Sequence, residues 1–151
     1  MIAKCKIASV TSITDVIVLE HVRQHIHLDD VGLLVGKCYP VFGIAFWAGI
    51  PWYLVSEEID DEYPILHCSA FFDLIDTRVC EDWRLVLGPS NVGTTALLPE
   101  QWASDPCFLE KMIDGDENAV AFFRELKRRA SEETLDGTLG SEKAPVKTGG
   151  E

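Results

Sequence analysis

The chain is poor in basic residues. It has 13 Lys and Arg against 25 Asp and Glu in 151 residues, which gives a formal net charge of −12. Nucleic acids and anionic membranes are bound by clustered Lys and Arg, so this deficit argues against both as direct partners. A negative field instead attracts basic partners and keeps a protein soluble.

Long apolar runs are also missing. Polar residues interrupt the N-terminal region from Ser9 to Asp15, so it has no apolar segment of signal-peptide length. The longest apolar passage, 41–55, contains three Gly or Pro residues and falls short of the roughly 18–20 residues that cross a bilayer. We therefore expect a cytoplasmic protein that does not enter a membrane.

The five cysteines form no Cys-x-x-Cys pair and are odd in number. This predicts reduced, mostly buried thiols rather than a disulfide framework or a zinc site. His67 beside Cys68 is the one sequence-adjacent pair of a base and a thiol. Neighbouring residues of a strand point to opposite faces, which disfavours a catalytic thiol there.

No complete catalytic motif is present. The glycines of residues 88–95 have the spacing of a phosphate-binding loop, but Thr94 stands where that motif needs a lysine. His21, His25 and His27 would share one face of a strand, whereas on a helix only His21 and His25 would. A metal site therefore requires the strand alternative or an irregular segment, and we expect no metal and no cofactor.

What the chain does have is a 47% hydrophobic composition, enough for a single globular domain, predicted over 1–130. Residues 131–151 lack apolar periodicity and are predicted to be a disordered tail. The predicted fold class is α+β: a small twisted antiparallel β-sheet or SH3-like barrel followed by two C-terminal helices.

The strands are predicted from β-branched and aromatic runs. Residues 37–47 and 51–55 flank a short Gly-containing link, which predicts a hairpin, and further strands are predicted at 6–13, 63–72 and 83–87. Residues 16–31 fit either a helix capped by Asp15 or a strand.

The C-terminal helices are predicted from capping signals. Asp105 and Pro106 are typical of a helix start, and Gly115 suits the position that follows a helix. A second helix is predicted from Asp116 to about Ala130, with Glu117 in its first turn.

The run 56–62 carries five carboxylates next to an aromatic pair. Crowded carboxylates repel one another unless a cation or a basic partner neutralises them. An exposed aromatic residue beside them would give an interface both steering and an anchor. The predicted partner-binding residues are Trp52, Tyr53, Glu57, Glu58, Asp60, Asp61 and Glu62.

The pattern over residues 33–87 resembles small immunity proteins of bacterial polymorphic toxin systems. It consists of Gly36-Lys37, Tyr39, Val41, Gly43-Ile44, Gly49, Trp52-Tyr53-Leu54, Phe71, Phe72, Asp76, Arg78 and Trp83. The resemblance implies a compact, acidic, cytoplasmic inhibitor encoded beside a toxin, and it transfers no catalytic residue. The acidic run stands where that pattern has a shorter turn.

Three hypotheses remain open at this point. The first is a non-enzymatic inhibitor that occludes the basic active site of a cognate toxin domain. The second is a nucleic-acid mimic or a regulatory adaptor that uses the same charges. The third is a small enzyme that uses a carboxylate or, with a metal, the histidine cluster.

Overall fold

The computed structural model describes residues 1–88 and 94–139, with side chains described as far as residue 134. Its strands are β1 (Ile2–Cys5), β2 (Cys38–Trp47), β3 (Ile50–Val55), β4 (Ile65–Cys68), β5 (Phe72–Asp76), β6 (Trp83–Val86) and β7 (Ala96–Pro99). Its α-helices are α1 (Val16–His25), α2 (Glu100–Ala103), α3 (Phe108–Ile113) and α4 (Glu117–Leu139). The predicted α+β class is confirmed.

All strand pairings are antiparallel, in the order β4-β3-β2-β1-β5, with β7 also paired to β2 and β6 paired to β7. A 3-10 turn, Ser69–Phe71, joins β4 to β5. Among the described residues β4 and β5 are not paired with each other. The SH3-like barrel therefore stays a prediction.

The long strand β2 organises the sheet. One of its edges pairs with β3 along most of its length. The opposite edge is shared: residues 38–40 pair with β1, and Ile44 and Ala45 pair with β7. Gly43 lies where β1 and β7 diverge. A Cβ there would stand 2.8 Å from Leu54 Cδ1 of β3 and 2.8 Å from Leu98 Cδ2 of β7. The close packing of these two side chains against β2 therefore requires glycine at position 43.

The predicted hairpin is confirmed in β2 and β3. Its two-residue turn is Ala48-Gly49, with φ of 51° and 79°, and Trp47 pairs with Ile50 across it. Two consecutive positive φ values are typical of the type I′ turn, whose twist matches that of the strands.

The predicted strand over residues 6–13 is wrong. β1 ends at Cys5, and Val10–Ser12 is a 3-10 turn. Asp29 explains the difference, because its carboxylate accepts hydrogen bonds from Ser9 Oγ at 2.5 Å and Thr11 N at 2.8 Å. Such side-chain bonds compete with a strand ladder.

Two further strand boundaries differ from prediction. The single strand predicted over 63–72 is interrupted by the 3-10 turn that separates β4 from β5. The strand β7 was not predicted, because four residues that follow a glycine-rich stretch carry little periodic signal. The prediction for 83–87 is confirmed by β6.

The ambiguous segment 16–31 is resolved as a helix in its first part. Asp15 caps α1 by accepting hydrogen bonds from the backbone N–H groups of Ile17 and Val18. A good cap outweighs the strand preference of the β-branched residues at 16–18.

The C-terminal region is helical as predicted, with shifted boundaries. The predicted N-cap at Asp105 is wrong, because α3 begins at Phe108 with Cys107 at its N-cap. Asp105 Oδ1 accepts a hydrogen bond from Cys107 N in the turn before the helix, and Gly115 follows the helix with φ of 76°. Asp116 caps α4 through Ala119 N. The short helix α2 is an addition to the prediction.

The helix α4 passes the boundary at which the disordered tail was predicted. It continues through residues 131–139, supported by ion pairs of Arg128 with Glu125 and Glu132. Residues 140–151 lie outside the described residues. Against the sheet, the Phe123 ring of α4 packs edge-on to Phe42 with centroids 5.0 Å apart.

Candidate functional site: the acidic loop

The acidic loop, residues 56–62, connects β3 to β4 and is held by one of its own carboxylates. Asp61 Oδ2 accepts hydrogen bonds from Ser56 Oγ at 3.1 Å, from Glu57 N at 2.9 Å and from Glu58 N at 2.8 Å. A carboxylate that accepts several N–H bonds fixes a turn in the way that a helix cap does. Asp61 therefore shapes the loop from within.

The helix α4 clamps the loop from one side. Lys127 Nζ donates to the carbonyl oxygens of Ile59 at 2.7 Å and Asp61 at 2.5 Å, and it lies 5.2 Å from the centroid of the Phe123 ring. Burial lowers the pKa of Lys127. Beside it, Arg124 pairs with Glu62 at 3.2 Å. Two bases from a helix that follows much later in the chain thus hold the loop.

Glu57 reaches inward to the core. Its Oε1 lies 2.9 Å from Nε2 of His67, a side chain of β4 that is only 4% exposed as a residue. Burial lowers the pKa of His67 and outweighs the opposing effect of the Glu57 charge. His67 is therefore neutral near pH 7, and its buried imidazole is satisfied by the Glu57 carboxylate, whose side chain is 26% exposed. Lys37 Nζ adds a bond to the Glu57 carbonyl oxygen at 2.8 Å.

The remaining members of the loop point outward. Glu58, Asp60 and Glu62 are exposed, and Ile59 between them is 88% exposed. The loop therefore presents one apolar side chain surrounded by carboxylates, on a backbone that Asp61 and Lys127 hold in place.

The predicted aromatic contact residues, Trp52 and Tyr53, belong to the core. Trp52 is 2% exposed and Tyr53 is 7% exposed, because other elements pack on both faces of β3. Trp52 Nε1 donates to His21 Nε2 of α1 at 3.2 Å, and the Tyr53 ring lies 5.8 Å from that of Phe72. Their prediction as exposed anchors is wrong.

Ile59 is the residue that sequence reasoning missed. The sequence signal for an exposed Ile59 is a single apolar residue among five acidic residues, because its neighbours in the chain offer no apolar side chains to pack with. Of the predicted charged residues, Glu58 and Asp60 are available to a partner. Glu62 is exposed but pairs with Arg124, and Glu57 and Asp61 are engaged within the fold.

The three histidines do not converge. His21 and His25 share one face of α1 with ring centroids 4.7 Å apart, and His25 also stacks near Trp47 at 4.9 Å. His27 lies beyond the end of the helix and is exposed. In residues 1–88 and 94–139 no three His, Cys, Asp or Glu side chains are placed as metal ligands would be.

The cysteines and the glycine-rich loop give mixed outcomes. All five cysteines are free, but only Cys5 and Cys68 are buried, while Cys38 and Cys107 are exposed. The prediction of mostly buried thiols is therefore wrong.

Residues 89–93 of the loop that resembles a phosphate-binding motif lie outside the described residues.

Comparisons of the chain with family models, with curated proteins and with solved structures find no match. In the part of the chain that the structure describes, none of the helices combines the length and the apolar character that a membrane crossing requires.

Proposed function

We propose that this protein is a non-enzymatic, acidic, protein-binding inhibitor that resembles immunity proteins and occludes the basic active site of a cognate toxin in the cytoplasm. The observation that carries the proposal is the acidic loop. It is ordered by Asp61, Lys127 and His67, yet it directs Glu58, Ile59 and Asp60 into solvent.

The charge of the chain supports a basic partner. A net charge of −12 speeds the encounter with a positively charged protein, and exposed carboxylates favour the correct orientation over competing ones. Glu58 and Asp60 are exposed, so they can pair with Lys or Arg of a partner without leaving a buried charge in the free protein.

The preformed loop supports tight binding. Ordering a flexible loop on association costs free energy, and the internal bonds of Asp61 remove part of that cost beforehand. Burying an exposed aliphatic side chain such as Ile59 contributes about 1.5–3 kcal/mol. A central apolar residue with a charged rim is the usual arrangement of an interface hot spot.

The free cysteines support a cytoplasmic location. Five free cysteines in a small protein fit a reducing environment, because oxidising compartments favour disulfides.

The test is direct binding to the purified product of the neighbouring gene, measured by calorimetry at several salt concentrations. The double variant Glu58→Ser with Asp60→Ser should weaken binding about tenfold or more and flatten the salt dependence. The matched control, Glu20→Ser with Glu110→Ser, removes the same charge from exposed positions of α1 and α3.

The control should bind within about twofold of the natural protein, since a change in total charge acts mainly through long-range steering. Ile59→Ser should weaken binding without changing the salt slope. Equal effects of the loop variant and the control would show that the acidic loop is not the contact surface.

A further inference from the structure

A cavity lies where β1 and β7 diverge from their common edge of β2. Between the pairing of Pro40 with β1 and that of Ile44 with β7, no described strand covers this edge. The inner face of α4 crosses the gap instead. The resulting space, which we call the fork cavity, has a volume of about 540 Å³.

The wall of the fork cavity is largely apolar. It includes Ile2 of β1, Phe42 of β2, Trp83 of β6 and Leu126 of α4. Sites for small molecules are typically about 300–1,000 Å³, apolar, and equipped with a few polar groups that fix orientation. The fork cavity has both the size and the apolar wall of such a site.

Two arginines also line the fork cavity, and one of them is already engaged. Arg78 holds Asp76 through Nε at 2.9 Å and Nη2 at 2.7 Å, and its backbone N–H donates to the same carboxylate at 3.0 Å. These bonds keep the pKa of Asp76 well below its usual range. The Asp76 charge is therefore compensated in place. Glu133 is a second carboxylate of the cavity lining, and its charge acts on Arg78 only from a distance.

The second arginine, Arg129 of α4, has donors left for a ligand. The ion pair that the structure gives it is a long one, 3.5 Å from Nη2 to Asp82 Oδ2, and Asp82 is not among the residues that line the fork cavity. A guanidinium has five N–H donors. Arg129 can therefore donate hydrogen bonds to an anionic group in the cavity while Asp82 stays outside it.

We propose that the fork cavity binds a small amphipathic anion, with its apolar body against Phe42, Trp83 and Leu126 and its carboxylate-like head at Arg129. Guanidinium groups match carboxylates in geometry and in charge. This site is separate from the acidic loop and does not depend on the proposed inhibitor function.

The test is calorimetry of the full chain with decanoate and with decyltrimethylammonium, each below its micelle concentration. Decanoate should bind at least about tenfold more tightly, although the net charge of −12 attracts the cation. Arg129→Gln should weaken decanoate binding by about tenfold. The neighbouring Arg128, which pairs with Glu125 and Glu132 on the exposed side of α4, gives the control Arg128→Gln, expected to bind as the natural protein does.

A second variant tests the cavity itself. Ala130→Leu places a larger side chain at the wall and should abolish decanoate binding, with folding checked by thermal melting. If that variant does not fold, the Arg129 and Arg128 pair decides the result. Absence of decanoate binding, equal affinity for both amphiphiles, or equal effects of Arg129→Gln and Arg128→Gln would overturn the proposal.

Discussion

The acidic loop and the fork cavity are built in opposite ways. The loop comes from seven consecutive residues, and its shape depends mainly on Asp61 within it. The cavity is assembled from β1, β2, β6 and α4, which lie far apart in the chain. The difference teaches that a charged surface is visible in sequence, whereas a cavity depends on where strands separate in three dimensions.

The largest expected effect tests the packing at the fork. Gly43→Ala should destabilise the protein by about 3 kcal/mol, the upper range for overpacking a core. The added Cβ would meet buried Leu54 and Leu98 side chains at 2.8 Å and the Leu97 carbonyl oxygen at 3.2 Å. Urea denaturation measures the free energy of unfolding.

Gly88→Ala is the control for that variant, since a Cβ at Gly88 meets no atom of the described residues within 4 Å. It should change stability by less than about 0.5 kcal/mol. Similar losses in both glycine variants would contradict the close packing described at Gly43.

The next effect separates the two kinds of carboxylate in the acidic loop. Asp61→Ala removes the acceptor of three hydrogen bonds and should cost about 2 kcal/mol of folding free energy, because bonds to charged groups are the stronger ones. Asp60→Ala, at an exposed neighbouring position, should cost less than about 0.5 kcal/mol. If thermal melting gives equal losses for both variants, Asp61 does not organise the loop.

A pH series tests the contact between the loop and the core. The pKa of His67 is lowered in the folded protein, so between the unfolded value of about 6.5 and the folded value the unfolded chain binds more protons. The contribution of His67 to the free energy of unfolding is therefore complete above about pH 6.5, and it decreases as the pH falls toward the folded pKa.

In His67→Gln, the free energy of unfolding should depend less steeply on pH between about 7 and 5 than in the natural protein. A profile for His67→Gln that matches the natural one would show that His67 is not buried as a neutral group.

The smallest effect concerns the exposed ion pair between the loop and α4. Arg124→Ala removes the ion pair with Glu62, in which both side chains are more than half exposed. Such pairs contribute about 0–1 kcal/mol, so we expect a loss within that range in urea denaturation. A larger loss would mean that Arg124, and not Lys127, is the main clamp of the loop.

Several local signals were read correctly from the sequence. The hairpin link that contains Gly49 and the helix end at Gly115 each depend on residues within a few positions, and Asp15 caps α1, which was one of the two alternatives left open for 16–31. Such features follow from backbone preferences and from nearby side-chain hydrogen bonds. The α+β class followed because these local elements and the hydrophobic pattern agree with each other.

Long-range contacts decided what sequence reasoning missed. The aromatic pair at 52 and 53 is buried because α1 packs against Trp52 and Phe72 of β5 packs against Tyr53, which a reading of β3 alone does not show. The pairing of Glu57 with His67 and the bonds of Lys127 to the loop likewise depend on the fold. For that reason the five carboxylates looked equivalent in sequence, although Glu57 and Asp61 are structural.

The most direct test of the central claim is a growth-rescue assay in which the chain is co-expressed with the product of the neighbouring gene. The natural chain should restore growth and copurify with that product, and so should the control with Glu20→Ser and Glu110→Ser. The variant with Glu58→Ser and Asp60→Ser should lose both properties while remaining folded. Failure of the natural chain to rescue, or full rescue by the loop variant, would contradict the account.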